Sequence, residues 1–170
     1  MTTSPDDNIL VDLATGAVAG IVGLWALDRV DWALYERESG EAKRKLMQAR
    51  PGGLDPAHVL VAKVSRALGR PAPSQPHPAG IATHYGIGLT TGMAYAALRR
   101  RFPWAGLGFG ALFGAAAWLL EDEGLNPLTG LAGPPNAYAP STHLRGLLAH
   151  IAFGMAAEAV LRLRPARVSI

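Results

Sequence analysis

The sequence predicts an all-α polytopic membrane protein, with four glycine-rich transmembrane helices and a short amphipathic surface helix in a single domain spanning residues 1–170. Three observations carry the prediction. Four stretches approach the ~20 largely apolar residues needed to cross a ~30 Å hydrocarbon core. Glycines recur at four-residue spacing in three of those stretches. A hydrophobic content of 49% against 17% charged residues is lean in charge for a soluble domain. A soluble bundle of unusually apolar helices is the alternative fold.

The first span is read over residues 9–27 (ILVDLATGAVAGIVGLWAL), where Asp12 near the start is the one charge. It lacks the basic leader and small-residue cleavage site of a signal peptide, so it is expected to stay in the mature chain. Residues 28–78 form a long extramembrane connection. Its opening, DRVDWALYERESGEAKRKLMQAR, is expected to prolong the first helix until Pro51, Gly52 and Gly53 interrupt it. Asp55 as N-cap, Pro56 in the first turn and Gly69 as the stop then mark an amphipathic helix, with Val59, Leu60, Ala62, Val64 and Leu68 on its apolar side. RPAPSQPHPAG reads as a proline-rich linker. His58 on the short helix and His77 in the linker are expected at the surface.

The second span covers residues 79–98, the third residues 104–120 and the fourth residues 144–161. The third is uncharged and carries Trp104 and Trp118 near its ends, a placement that suits the two membrane interfaces. Gly16 and Gly20, Gly88 and Gly92, and Gly106, Gly110 and Gly114 make GxxxG faces, which let helix backbones approach where lipid removes the hydrophobic drive for association. In a soluble helix each such glycine would cost ~1 kcal/mol relative to alanine. Between the third and fourth spans, EDEGLNPLTGLAGPPNAYAPSTH is rich in turn residues and predicts an ordered lid, with Ser141 or Thr142 capping the last helix.

Four crossings bring His84, Glu121, Asp122, Glu123, His143, Arg145 and His150 to one side of the bilayer, with Asp28 and Asp31 at the rim. Helical periodicity sharpens this grouping. His143, Gly146, His150, Gly154 and Ala157 fall within an arc of about 80°. His84, Gly88, Thr91 and Tyr95 share a face of the second span, and Gly106, Gly110, Gly114, Ala117 and Glu121 share one on the third. Turned inward, these stripes bring His84, His150 and Glu121 to comparable depth. Ionisable groups inside a membrane are costly and point to function, and histidine changes charge near neutral pH. The plainer reading has each histidine bridging helices, with Arg145 paired to Glu121, Asp122 or Glu123.

The chemistry this set supports first is binding of an ion, relay of protons or enclosure of a small ligand, with a membrane-bound enzyme as the third reading after an accessory subunit. No HExxH or comparable motif marks a divalent-metal site, and a haem held by His84 and His150 would have to fit between glycine-packed helices. Ser141 and His143 have no nucleophile elbow or oxyanion loop beside them. The absence of cysteine removes disulfides and thiolate ligands. A formal charge of +3, spread over several clusters, gives nucleic-acid binding no support. The expected partner is the lipid bilayer, with a homo-oligomer or a larger membrane complex as the further association; in the second case the chain is a structural accessory subunit docking through its glycine faces.

Order and spacing of the Gly-rich first helix running into DRVDWALYERE, of HYGIGLTTGMAYAALRRRFP, of GFGALFGAAAWLLEDEGLNPLTGL and of THLRGLLAHIAFG resemble the YagU-like family of bacterial inner-membrane proteins. The resemblance spans most of the chain but not the proline-rich linker. It implies a multi-pass protein of the bacterial inner membrane with a role in envelope or acid-stress physiology, and supplies no substrate. Arg99, Arg100, Arg101, Arg162, Arg164 and Arg167 place both termini on the cytoplasmic side by the positive-inside rule, against Asp6 and Asp7 and the basic long connection.

Overall fold

A computed structural model of the chain describes residues 5–163, with side chains from residue 9 onward. Asp6, Asp7, Arg164 and Arg167, which enter the orientation argument, lie outside the described side chains. The described residues are helical and contain no strand.

Helix α1 (Pro5–Arg37) is the spine of the bundle. It packs along its length against both α4 (Pro78–Arg101) and α7 (Pro140–Arg162), and α5 (Ala111–Leu120) lies on α7. Helix α2 (Gly40–Ala49) and helix α3 (Pro56–Ala67) belong to the connection between α1 and α4. Contrary to the sequence expectation, α1 does not run on to Pro51. It ends at Arg37, and Ser39 caps a separate α2 by accepting a hydrogen bond from the Ala42 N–H at 3.1 Å. Asp55, Pro56 and Gly69 bound α3 as their residue types dictate. Asp55 accepts from the His58 N–H at 2.9 Å, and Gly69 takes φ +69°, a conformation that suits a residue without Cβ.

Glycine sets how closely the long helices cross. A Cβ at Gly20 would lie 2.2 Å from the Gly88 carbonyl oxygen, and one at Gly92 would lie 2.3 Å from the Gly20 Cα. On the other side a Cβ at Gly114 would meet the His150 carbonyl oxygen at 2.1 Å. The glycine faces are therefore consumed inside the bundle, α1 on α4 and α5 on α7, and are not presented to a partner. Between the crossings Leu24, Tyr95, Phe153 and Ala157 are buried together, with Phe113 stacked on Tyr95 at 4.1 Å between centroids.

The third predicted span is not one helix. Residues 103–106 make a short 3₁₀ turn, and Gly108, Phe109 and Gly110 follow with φ of +62°, +57° and +86° before α5 begins. Gly106, Gly110 and Gly114 thus share no helical face; the glycines that resemble a packing motif serve first as a turn. Trp118 points inward toward Gly146 rather than to an interface, whereas Trp104 is exposed. Among the described residues two helices, Ile9–Arg37 and Pro140–Arg162, are long and apolar enough to cross a membrane. Helix α4 is long but ends in Arg99, Arg100 and Arg101, and the ten residues of α5 rise only about 15 Å.

After Leu120 the helix widens into a π turn over Glu121–Leu125 and closes with α6 (Asn126–Leu128). Gly130 stops it. Its N–H donates to the Pro127 carbonyl at 3.0 Å while the Leu131 N–H reaches back to the Asn126 carbonyl at 2.8 Å, the paired bonds of a Schellman ending. Helix α7 then starts from Ala139 and Pro140, with neither Ser141 nor Thr142 as its cap. Thr142 instead donates to Glu38 at 3.3 Å.

Candidate functional site

The π turn sits where the C-terminal part of α1, the start of α4 and the start of α7 converge. Its three consecutive acids reach three different partners. Glu121 accepts from the Thr91 hydroxyl of α4 at 3.1 Å. Asp122 accepts from the Asn126 amide at 3.2 Å and lies 3.8 Å from His150 Nδ1. Glu123 meets His143 Nδ1 at 2.6 Å. Burial pushes the Glu121 carboxyl above the usual carboxylate range, opposed by the Thr91 hydrogen bond and the nearby His150.

His143 has an informative pair of neighbours. Its Nε2 lies 3.0 Å from the Pro135 carbonyl oxygen, which can only accept, so Nε2 must carry a hydrogen. Nδ1 and Glu123 then share the one remaining proton position along a short contact. His150 differs: its Nδ1 lies 2.9 Å from the Gly146 carbonyl of its own helix and so donates there. His84 Nε2 pairs with Asp28 at 3.0 Å, further along the α1–α4 seam. No hydrogen bond or ion pair among the described residues joins His84, Glu121 and His150 to one another, so the inner trio expected from the helix stripes is divided among separate pairs.

Arg145 is only 6% exposed. Its partners are not the π-turn acids that the sequence suggested but residues of α1 and its exit. NH1 donates to Asp31 at 3.3 Å, Nε lies 3.7 Å from Glu38, and the guanidinium sits over the Tyr35 ring at 5.2 Å. One Glu38 carboxylate oxygen and Arg145 Nε are buried without a hydrogen-bond partner among the described residues. Sequence reading missed Tyr35 and Glu38. The signal was present, since Asp28, Asp31, Tyr35 and Glu38 recur at spacings of three and four and fall on one stripe if the helix continues past the apolar stretch.

A crevice of about 120 Å³ opens among these groups, lined by Asp31, Arg50, Asp122, Glu123, His143 and Arg145 with Trp118 and Tyr138 beside them. It has room for several water molecules or a small polar ligand. Its cover comes from two distant parts of the chain. One is the predicted lid, held by the Tyr138 hydroxyl accepting from the Gly133 N–H at 3.0 Å and by Lys63 donating to the Thr129 carbonyl at 2.7 Å. The other is the α2 side, which contributes Leu46 and Arg50. Among the described residues no three His or acidic side chains gather as they would around a metal ion.

His58 and His77 are not free surface residues. His58 is 4% exposed; its Nε2 accepts from the His77 N–H at 3.0 Å, which leaves Nδ1 to donate to Asp55 at 2.8 Å. His77 caps α4, its Nδ1 accepting from the Ala79 N–H at 3.2 Å. A Cβ at Gly80 would fall 2.3 Å from the His58 ring, so this histidine pins α3 to the start of α4. At the opposite end, Glu158 is fully buried and accepts from Tyr95 at 2.6 Å, Arg162 at 2.7 Å and Arg99 at 3.1 Å. Compared with protein-family models, curated proteins and solved structures, the chain matches none.

Proposed function

We propose that the chain is an integral protein of the bacterial inner membrane whose polar crevice takes up and passes on protons, coupled to a small polar ligand in the same space. The observation that carries the reading is the fan of carboxylates in the π turn, each beside a different hydrogen-bonding partner, with Glu123 and His143 sharing a single proton position at 2.6 Å. Such a pair moves a proton with little rearrangement, and π turns occur often at functional sites. Ile9–Arg37 and Pro140–Arg162 are the two crossings their length supports, with α4 and the short, broken third segment packed against them and both termini on the cytoplasmic side. Exposed Ile9, Leu10, Val18, Trp25, Leu144, Leu148 and Met155 on the two long apolar helices support contact with lipid. Membership of the YagU-like proteins, and with it a role in acid or envelope stress, is part of the same proposal.

The test is proton flux into proteoliposomes loaded with a pH-sensitive dye under an imposed pH gradient. Wild-type protein is expected to exceed empty liposomes, and Glu123→Gln and His143→Gln to reduce the flux with helix content unchanged. Flux equal to that of empty liposomes from about pH 5 to 8 would make the pairs structural bridges. The other reading, an accessory subunit of a larger complex, would rest on the exposed aliphatic faces, because the glycines are occupied internally. Stoichiometric copurification of a membrane partner would favour it.

A further inference from the structure

At the end of the bundle remote from the crevice, a second cleft of about 320 Å³ is lined by Asp12, Ala96, Arg99, Arg100, Glu158 and Arg162. Asp12 and Asp28 mark the two ends along α1. Sixteen residues apart, they are separated by about 24 Å. The charges are layered. The carboxylates lie at the base, Glu158 fully buried and Asp12 8% exposed. The arginine side chains stand above them, 30% exposed at Arg99, 43% at Arg100 and 52% at Arg162.

Each carboxylate holds its arginines by part of the guanidinium only. Arg99 uses Nε and NH2 on Glu158, Arg162 uses Nε on the same carboxylate, and Arg100 uses NH1 on Asp12 at 2.9 Å. Among the described residues the other nitrogens of these three guanidiniums meet no acceptor. Among the described residues lining the cleft three arginines stand over two carboxylates, and the bonds to those acids hold the guanidiniums in place. A fork of oriented guanidinium N–H groups matches the tetrahedral oxygens of phosphate. Apolar groups border it: Arg162 lies over the Phe109 ring at 4.6 Å, Leu161 lines the cleft, and Ile9, Leu10 and Val11, which precede Asp12 on α1, are exposed.

We propose that this cleft binds a phosphate group, that of an anionic phospholipid headgroup, with the acyl chains lying against the exposed apolar residues of α1. Basic pockets between helices on the cytoplasmic side commonly hold such headgroups. The proposal takes the source of the phosphate from the membrane placement, and is independent of proton handling in the crevice.

The experiment uses the full chain in mild detergent, titrated with short-chain phosphatidylglycerol, short-chain phosphatidylcholine or inorganic phosphate. Thermal stability and bound-lipid masses are the readouts. Phosphatidylglycerol is expected to bind and stabilise in preference to phosphatidylcholine, with inorganic phosphate weaker. Phosphate acting as strongly as phosphatidylglycerol would keep the anion site but overturn the lipid as its source. Equal effects of the two lipids and none of phosphate would overturn the site.

Two variants separate binding from structure, because both break the same Arg100–Asp12 pair. Arg100→Gln should weaken phosphatidylglycerol binding about fivefold, the worth of one basic group near a headgroup. Asp12→Asn removes a competing anion and should strengthen it. A shift of both in the same direction would overturn the proposal in favour of a structural ion pair. Glu123→Gln should leave lipid binding unchanged, and extraction of membranes with alkaline carbonate tests membrane integration separately.

Discussion

Gly20→Ala probes the crossing on which the geometry of both polar ends depends. The new Cβ would lie 2.2 Å from the Gly88 carbonyl oxygen and 3.0 Å from the Leu89 Cα. Ordinary contact begins near 3.4 Å, so the obstruction is more than 1 Å deep and made of backbone, which cannot swing aside as a side chain could. Helices α1 and α4 must separate or slide. Overpacking of this kind costs about 1–3 kcal/mol, and the helix-propensity gain from glycine to alanine returns about 1 kcal/mol, for a net loss of up to about 2 kcal/mol. Gly86→Ala supplies the control within α4. Nothing lies within 4 Å of a Cβ there, so the propensity gain of about 0.5–1 kcal/mol should appear undiminished. Unfolding in mild detergent, followed by circular dichroism as denaturing detergent is added, measures both. If Gly20→Ala proved as stable as Gly86→Ala, the close crossing of α1 and α4 would be wrong, and with it the alignment of Asp28 with His84.

Two other substitutions bear on the crevice. Arg145→Gln leaves Glu38, with its side chain 5% exposed, without its cation, and the loss of one partner from a buried pair costs about 3–5 kcal/mol. Adding Glu38→Gln should restore much of that stability in the same unfolding assay, whereas two additive losses would refute the pairing. Glu121→Gln should stabilise the protein at neutral pH. Burial raises the folded-state pKa of Glu121 above that of an ordinary carboxyl, so its favourable contribution is present below the ordinary value and is lost as pH rises through the folded pKa. Melting curves of wild type and variant should therefore converge in acid and part toward neutrality; parallel curves would refute the assignment.

Much of the helical plan was legible because it rests on local chemistry. Asp55, Pro56 and Gly69 bound α3 through capping and a left-handed stop, and the placing of His84, Glu121 and His143 near one end follows from helix length and alternating direction. What escaped depends on contacts distant in sequence. GxGFG in residues 106–110 has the spacing of a packing face, yet successive positive φ values make it a turn, and spacing alone does not distinguish the two. His58 looks like a surface residue of an amphipathic helix until the chain returns nineteen residues later and donates the His77 N–H to it. Sequence pairs Arg145 with the acids at 121–123 across the intervening loop, while its partners occupy a stripe on α1 beyond the apolar segment. In sequence Glu158 is only an acid within an apolar segment; Tyr95 and Arg99, four residues apart on α4, turn it into a buried junction.

A π turn is an α-helix carrying one additional residue, which it absorbs by widening while the flanking turns stay nearly in phase. Upstream, residues 111–120 keep the register that seats Gly114 against the His150 carbonyl. Downstream, residues 126–130 keep the register that ends the helix at Gly130 under the Lys63 contact. The three acids occupy the interval between the two registers. Deleting one residue there would let the π turn close to an ordinary α turn, with the two halves close to their present phase and one acid fewer in the interval. Exchanging the acids in place would leave both registers intact. The chemistry of the crevice can therefore vary, in residue type and by one residue in length, with little change to the helix packing beneath it.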